Sequence, residues 1–345
     1  MIAIPELDGA AMQLARERQS RLTKPAGSLG RLEELSIRVA GMTGKLDPPL
    51  ERAVVFTLAA DHGVAAEGVS AYPADVTAQM VANFLRGGAA INVLAREVGA
   101  KVVVADLGVK TEIEHADGLV AAKVRRGTAS ITQGPAMTAA EATQAVDAGR
   151  ELVRGQLAVG MDVAITGDMG IGNTTASAAI VSAITDLEPE AIVGRGTGVD
   201  DAGLERKRDA VRKALRLNAA AIAEGPMGVL AAVGGLEIAG LVGVILEAAA
   251  SRKPVIIDGF ISGAAALVAS RVAPTSTGFM IASHRSHELG HGAVLEELGL
   301  QPLLDLELRL GEGTGGALAL PIVRAAMRLL NDMATFEDAG VSGRV

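Results

Sequence analysis

One acidic side chain stands between two glycines in a largely apolar segment near the end of the chain. The segment reads RLGEGTGGALALP and places Glu312 between Gly311 and Gly313. Flanking glycines leave a carboxylate uncovered, and partial burial raises the pKa of a carboxyl group toward that of a general base near neutral pH. The residue could instead be a charge near the N-terminus of the helix predicted at TGGALALPIVRAAMRLL, where the helix dipole favours it. The residues alone leave both interpretations open.

A second candidate is the glycine-rich turn GDMGIGNTTASAAI. A predicted strand leads into Gly167, Gly170 and Gly172, and a helix is predicted to begin at Asn173 or Thr174. Glycines let the backbone approach a ligand, and the first amides of a helix are unpaired, so such a turn can bind a phosphate. It lacks the GK[ST] ending of a P-loop and the GxGxxG fingerprint. The alternative is a structural turn whose Asn or Thr caps the helix.

A second glycine-rich loop precedes a helix with three consecutive basic residues. In GRGTGVDDAGLERKRDA, Gly196 lies in the loop and Lys207 in the predicted helix. A lysine beside such a loop could supply the cation for a phosphate. A solvated, charged start of a helix is the more frequent arrangement for this pattern, and it is the interpretation that the residues alone favour.

Histidines recur in SHRSHELGH. His284, His287 and His291 have i, i+3 and i+7 spacing, which on a helix is one face and could bind zinc. The HExxH signature is absent, and the favoured alternative is that the histidines cap a helix and line a pocket. Asp61 and His62 follow a predicted strand in AADHG, where they could serve function or hydrogen-bond the next turn. Neither pattern decides a chemistry by itself.

The composition limits the class of protein. The chain has 345 residues, a formal net charge of −8, 49% hydrophobic and 2% aromatic residues. The clustered Lys, Arg and aromatic residues of nucleic-acid-binding surfaces do not appear, so we expect no nucleic acid partner. The absence of cysteine is consistent with the cytoplasm, and the N-terminus lacks a signal-peptide pattern. The stretch GPMGVLAAVGGLEIAGLVGVILEAAA contains Glu237 and Glu247, so we expect buried helices rather than a membrane span.

Five predicted strands must position these candidates. They are short apolar runs, separated by helical patterns, at residues 53–60, 101–109, 162–169, 254–260 and 277–283. This alternation predicts an α/β fold with a mostly parallel sheet and helices on both faces, that is, a Rossmann-like fold. In open parallel sheets, ligands bind beyond the carboxyl ends of the strands, where the candidate residues stand.

Helical patterns at the two ends of the chain do not fit the alternation. Periodicity at residues 6–20 and in RLEELSIRVAGM predicts helices there. We expect a large α/β domain at residues 46–309, which carries the substrate loops. Residues 1–45 together with 310–345 are expected to form a smaller helical domain.

A series of motifs runs along nearly the whole chain: KPAGSLGRLEEL, AADHGV, YPADVTAQMVANF, GDMGIGNTT, VGRGTG, VGGLEIAGLVG, DGFISGAAAL and LGEGTGGALALPIV. In this order they resemble the nicotinate-nucleotide–dimethylbenzimidazole phosphoribosyltransferase family. The resemblance implies transfer of 5-phosphoribosyl from nicotinate mononucleotide to 5,6-dimethylbenzimidazole, giving α-ribazole 5′-phosphate and nicotinate, in assembly of the cobalamin lower ligand. It also implies a homodimer that needs no cofactor and no metal.

The resemblance implies roles for particular residues. Glu312 is the expected general base, which takes the N–H proton of the benzimidazole. Asp168 is expected to support catalysis from a position where family members commonly carry glutamate. The expected phosphate and ribose site comprises Gly170, Ile171, Gly172, Gly196 and Lys207, and the expected base pocket comprises Tyr72, Met80, Met169 and Leu310.

Two other classes of function stay open. A metal-dependent hydrolase would use His284, His287 and His291, with Asp61 and His62. A non-catalytic nucleotide-binding protein would use the same loops without turnover. A nicotinamide-dependent oxidoreductase is disfavoured, because the first predicted strand leads into DHGVAAEG and not into GxGxxG.

Overall fold

A six-stranded parallel sheet forms the centre of the molecule. The structure, a computed structural model, describes residues 2–113 and 117–342. The strands are β1 (Ala53–Ala60), β2 (Ala100–Gly108), β3 (Leu119–Ala121), β4 (Val163–Met169), β5 (Val255–Ile257) and β6 (Met280–Ala282). Their order is β3-β2-β1-β4-β5-β6, and all neighbours pair in parallel. The predicted α/β fold is confirmed, and the order reverses between β1 and β4, where open parallel sheets bind ligands.

β1 has the bounds predicted for it, and the other predicted strands differ at their ends. β5 ends at Ile257, because the chain enters a helix at Phe260. β6 begins at Met280, since residues Pro274–Phe279 form a 3₁₀ turn. The sequence does not predict β3, because three residues at a partly exposed sheet edge are too few for a periodic pattern.

Helices cover both faces of the sheet. They are α1 (Gly9–Arg21), α2 (Arg31–Thr43), α3 (Val76–Leu85), α4 (Ala90–Glu97), α5 (Ala139–Ala158), α6 (Asn173–Thr185), α7 (Pro189–Ile192), α8 (Asp201–Leu217), α9 (Ala219–Ile222), α10 (Pro226–Val233), α11 (Leu236–Ala250), α12 (Phe260–Val272), α13 (His291–Leu298) and α14 (Thr314–Asp332). On one face, α5, α6, α8 and α10–α13 share a core with Phe56 and Leu58 of β1. On the other, α1–α4 and α14 share a core with Val55 and Ile165. The predicted helices on both faces are therefore confirmed.

The helices from the two ends of the chain pack on one another. α2 contacts both α1 and α14. Leu35 of α2 and Leu320 of α14 also lie in one core with Val55 of β1, so the terminal helices cover one face of the sheet. The division into domains at 46–309 and at 1–45 with 310–345 stays a prediction.

The most apolar stretch of the chain forms two buried helices, as predicted. α10 ends at Val233 and α11 begins at Leu236, so Gly234 and Gly235 divide the stretch. The residues of α11 are buried almost throughout. Within residues 2–113 and 117–342, no helix is long and apolar enough to cross a membrane.

α11 crosses α5 at a contact that requires glycine. A methyl group added at Gly149 of α5 would lie 1.9 Å from the carbonyl oxygen of Gly240 in α11. We expect Gly149→Ala to lower the free energy of unfolding by about 1–3 kcal/mol, because the two helices must separate. Urea denaturation measures the change. Gly155→Ala, in the same helix, is the matched control, since its methyl group would meet no atom within 4 Å; equal destabilisation by both substitutions would contradict this explanation.

Candidate active site

A cleft of about 670 Å³ lies beyond the carboxyl ends of the strands. Most residues singled out in the sequence line it: Tyr72, Met80, Asp168, Met169, Gly170, Ile171, Gly196, Leu310 and Glu312. Gly172 directly follows Ile171, and Lys207 contacts Thr174, another lining residue. The fold therefore brings separate motifs, far apart in the chain, to one place.

The glycine-rich turn joins β4 to α6. α6 begins at Asn173, as predicted, and its N-cap residue Gly172 has a φ of 98°, a left-handed conformation that favours glycine. A methyl group at Gly170 would lie 2.4 Å from the carbonyl oxygen of Ala60, so the turn lies against the end of β1. The alternative in which Asn or Thr caps the helix is wrong, because Gly172 is the N-cap residue and the Asn173 side chain donates instead to Asp168 Oδ2 at 2.9 Å. The N-terminus of α6 faces the cleft, an arrangement that can bind an anion.

Lys207 of α8 lies beneath the two glycine-rich loops. Its side chain is buried, and its Nζ donates to Thr174 Oγ1 at 3.0 Å. A methyl group added at Gly196 would lie 2.6 Å from Nζ, so the second loop also approaches it closely. Burial lowers the pKa of Lys207 to about 8, although the charge of Glu288 acts in the opposite direction. The interpretation of this lysine as part of a solvated helix start is therefore wrong.

Glu312 has an unusual backbone conformation. Its φ is 64°, between Gly311 at 82° and Gly313 at 97°. A non-glycine residue in this left-handed region costs about 1–3 kcal/mol. The carbonyl oxygen of Glu312 accepts from Thr57 Oγ1 at 3.0 Å, and its amide donates to the Asp168 carbonyl at 3.3 Å. The flanking glycines thus allow the loop conformation, a role that the sequence pattern alone does not indicate.

The Glu312 carboxylate points into a buried environment. The residue is 4% exposed, and its Oε2 accepts from the Ile91 amide, in the first turn of α4, at 3.2 Å. Burial raises the pKa of Glu312 above its ordinary value, while the Ile91 amide acts in the opposite direction. The helix end that the carboxylate contacts is thus that of α4, whereas the helix-dipole interpretation expected α14. A buried carboxylate at the edge of a cleft suits a general base.

Asp168 lies in the same cleft, at the end of β4. Its Oδ1 is buried and has no hydrogen-bond partner within the described part of the chain. Burial raises the pKa of Asp168 well above its ordinary value, and the charges of Asp258, Glu237 and Glu312 act in the same direction. The Asn173 hydrogen bond opposes this shift. Asp168 is therefore a carboxyl group at the cleft whose burial favours its protonated form.

The predicted base-pocket residues lie at the mouth of the cleft. Tyr72 and Leu310 are 56% and 57% exposed, and Met80 and Met169 are half-buried. They present apolar surface beside Glu312. A flat aromatic ring that entered here would remove this surface from water, which favours binding.

The histidines do not share one face of a helix, so these residues do not form the arrangement on which the zinc alternative depended. α13 begins only at His291, whereas His284 and His287 precede it in an irregular segment. His287 is exposed; His284 lines the cleft, and burial lowers the pKa of His284 to about 4. His291 Nδ1 accepts from the Ser286 amide at 2.8 Å. Among residues 2–113 and 117–342, no group of three or more His, Asp or Glu side chains is placed to hold a metal ion.

Asp61 and His62 lie behind the glycine-rich turn. His62 Nε2 and Glu237 Oε1 are 2.5 Å apart, and both side chains are buried. Asp61 Oδ2 accepts from the Lys110 amide at 2.8 Å. The expected side-chain hydrogen bonds to the next turn are not the ones observed, since the partners are Lys110, beyond the end of β2, and Glu237 of α11. The Gly63 amide donates instead to Thr128 Oγ1.

Several polar residues of the cleft were not among the sequence candidates. Arg309, in the same motif as Glu312, donates from Nη1 to the Gly196 carbonyl at 2.9 Å and so joins two loops. Ser286 and Glu288 line the cleft between the histidines of SHRSHELGH. Each is a polar residue within a motif that was already a candidate, and this position is the sequence signal that could have identified it.

The similarity of the chain to known proteins agrees with this site. A family model described as phosphoribosyltransferase matches residues 4–341. A nicotinate-nucleotide–dimethylbenzimidazole phosphoribosyltransferase of Chloroflexus aurantiacus is 56% identical over 342 residues, which cover 99% of this chain and 97% of the relative. Another, from Desulforudis audaxviator, is 55% identical over 339 residues, 98% of this chain and 96% of the relative.

A solved structure gives the same result. The crystal structure of the nicotinate-nucleotide–dimethylbenzimidazole phosphoribosyltransferase of Thermus thermophilus matches with a TM-score of 0.93 at 50% identity. The match covers 98% of this chain and 100% of that chain. With these matches and the cleft described above, the chain belongs to the nicotinate-nucleotide–dimethylbenzimidazole phosphoribosyltransferase family.

Proposed function

We propose that the protein transfers the 5-phosphoribosyl group of nicotinate mononucleotide to 5,6-dimethylbenzimidazole, in assembly of the cobalamin lower ligand. The products are α-ribazole 5′-phosphate and nicotinate. Membership of the family supports this function. The main supporting observation is that the α6 N-terminus, the buried Lys207 and the buried Glu312 carboxylate all lie around one cleft.

The reaction needs one proton acceptor. A ring nitrogen of the benzimidazole attacks C1′ of the ribose, and the bond from C1′ to the pyridinium nitrogen breaks with inversion. The electron pair of that bond returns to the pyridine nitrogen, so nicotinate leaves without taking a proton. The second ring nitrogen of the acceptor carries the N–H, and its proton passes to the Glu312 carboxylate. The raised pKa of Glu312 and its place beside apolar surface support this role.

The phosphate of the donor binds at the opposite side of the cleft. The backbone of Gly170, Ile171 and Gly172 holds it at the N-terminus of α6, and Gly196 borders it. Lys207 supplies the positive charge, since its Nζ lies between Thr174 and the Gly196 loop. Backbone amides, a helix dipole and an ammonium group together form a site for an anion.

The remaining roles concern the ribose and the acceptor ring. Asp168 supports catalysis near the ribose, because it lines the cleft and its buried Oδ1 has no hydrogen-bond partner among the described residues. Tyr72, Met80, Met169 and Leu310 enclose the benzimidazole, since they form the apolar mouth beside Glu312. In this proposal the acceptor ring lies between Glu312 and the ribose.

The organisation of the protein in the cell is also part of the proposal. A cytoplasmic homodimer that needs no cofactor agrees with the family and with the cysteine-free sequence. Light scattering on the purified protein measures the oligomeric state. The large domain at residues 46–309 and the helical domain at 1–45 with 310–345 remain proposed divisions.

Chromatography of the reaction mixture tests the function. The purified protein is incubated with nicotinate mononucleotide and 5,6-dimethylbenzimidazole, with EDTA and without it, and both products are quantified. We expect nicotinate and α-ribazole 5′-phosphate in equal amounts, and only when both substrates are present. Nicotinate release without the acceptor would instead indicate a hydrolase, and donor binding without release would indicate a nucleotide-binding protein. No release at high protein concentration would refute the transfer.

A further inference from the structure

The loop Gly311–Gly313 holds Glu312 in a conformation that the rest of the protein must stabilise. Its successive φ angles are 82°, 64° and 97°. A non-glycine residue in this region costs about 1–3 kcal/mol and persists only where surrounding contacts enforce it. One side chain directly after β5 and another within β1 make such contacts.

Asp258 directly follows β5, and its side chain is buried. Its Oδ2 accepts from the Gly313 amide at 3.1 Å. Its Oδ1 accepts from the amides of Gly315 and Gly316 at 2.7 and 3.1 Å. Amides at the start of a helix have no partner within the helix, and the N-cap residue Gly313 has no side chain to supply one. Asp258, which lies in another part of the chain, therefore holds both the Glu312 loop and the start of α14 in place by hydrogen bonds.

Thr57 of β1 holds Glu312 from a different direction. Its Oγ1 donates to the Glu312 carbonyl at 3.0 Å. A methyl group added at Gly167 would lie 2.4 Å from the same carbonyl oxygen, so the loop rests directly on β4. Glu312 is thus fixed at its own carbonyl group and, through the next amide, by Asp258. The loop has little room to shift.

We infer that Asp258 and Thr57 are positioning residues that hold the Glu312 carboxylate toward the acceptor without contacting a substrate. This inference rests on the proposed function, in which Glu312 is the base. Neither Asp258 nor Thr57 belongs to the cleft lining of the described chain. They affect the rate because they fix the distance between the Glu312 carboxylate and the acceptor. Misplacing a catalytic group by about 1 Å can slow a reaction about 10²-fold.

Two nearly isosteric substitutions test the inference separately. Asp258→Asn places an N–H group where an acceptor oxygen stood, and Thr57→Val removes a donor while keeping the shape. We expect each to lower kcat about 10- to 10²-fold, with the KM for nicotinate mononucleotide changed less than about 3-fold. Steady-state assays of nicotinate release measure both constants. Unchanged kcat in both variants would overturn the inference.

A double-mutant cycle separates positioning from a purely structural role. In the Glu312→Gln background no base remains to be positioned, so each second substitution should lower kcat by less than about 2-fold. A structural role would give the same loss in both backgrounds. Equal losses in the two backgrounds would therefore contradict positioning.

Matched controls keep the test independent of folding. Glu247→Gln changes a buried carboxylate of α11, and Thr185→Val removes a hydroxyl that donates to the Val181 carbonyl at the far end of α6. Both should retain kcat. If Asp258→Asn does not fold, Thr57→Val decides alone, because it leaves every Asp258 hydrogen bond in place. An inactive wild-type protein would refute the proposed function, whereas an active wild type with a slow Glu312→Gln and fast positioning variants refutes only this inference.

Discussion

Replacing Glu312 by glutamine is expected to lower kcat for phosphoribosyl transfer about 10²-fold or more, as for loss of a general base. Glutamine keeps the size of the side chain and an oxygen that can accept from the Ile91 amide. Its neutral amide cannot take the N–H proton of the acceptor, so the attacking ring would become cationic. The phosphoribosyl donor should bind with little change, because its phosphate is proposed to bind at the other side of the cleft. Steady-state nicotinate release and equilibrium binding of the donor measure the two effects.

A methylated acceptor provides a chemical control for the same variant. In 1,5,6-trimethylbenzimidazole the second ring nitrogen carries a methyl group and no proton, so a base has nothing to remove. Wild type and Glu312→Gln should use this acceptor at similar rates, however slowly. Glu247→Gln, which changes a buried carboxylate of α11 held by Arg150 and Arg154, should behave as wild type with both acceptors. A near-normal kcat of Glu312→Gln with dimethylbenzimidazole would remove Glu312 from the base role.

The sequence predicts elements well where the pattern is long and local. The helical pattern AAEATQAVDAGRELVRGQLA covers residues 139–158, which are the bounds of α5. The first turn of α5 is closed by Thr138 and Glu141, which form a capping box. β1 is likewise one continuous buried run. The order of the strands is not predictable in this way, because it depends on which crossover connects each pair. Pairing between β1 and β4 joins residues more than a hundred positions apart.

Contacts between residues far apart in the chain also limit what the sequence reveals about the site. The resemblance to the family indicates Glu312 and Lys207, whereas the residues alone leave Glu312 open and favour a solvated position for Lys207. Their partners are not indicated: Ile91 and Asp258 reach the Glu312 loop only because the sheet brings distant loops together. The charged pattern around Lys207 suggests a solvated helix, whereas the loop over α8 buries this one side chain. Burial of a single charged residue depends on tertiary contacts, which periodicity cannot report.

The histidines show the opposite case, in which a local spacing fits a helix that these residues do not form. Their spacing fits a helix, but the chain between His284 and Gly290 folds irregularly, and α13 begins at His291. The carbonyl of Leu304 accepts from the Arg285 amide, and that of Leu308 accepts from the His287 amide. These bonds to a later segment compete with helical ones. A periodic pattern of three residues is therefore weak support for a helix when a neighbouring strand-like segment can pair with the same backbone.

Lys207→Gln is expected to raise the KM for nicotinate mononucleotide about 10- to 10²-fold, while kcat at saturating donor falls less. The lysine is proposed to bind the donor phosphate, and a charge-assisted hydrogen bond contributes about 1.5–3 kcal/mol. The matched control is Lys213→Gln, which removes an exposed lysine from the same helix. It should leave KM unchanged. Equal effects of both substitutions would indicate general electrostatic attraction and not a phosphate contact by Lys207.

The pH dependence of donor binding distinguishes this contact further. Burial lowers the pKa of Lys207 to about 8, so the free protein loses this positive charge as the pH rises through that value. The phosphate gains its second negative charge near a pKa of about 6. Both groups are therefore mostly charged only between about pH 6 and 8, and the KM for the donor should be lowest there and rise above pH 8. In Lys207→Gln the alkaline rise should disappear; a wild-type KM that stays constant from neutral pH through the pKa of Lys207 would show that the lysine does not bind the phosphate as a cation.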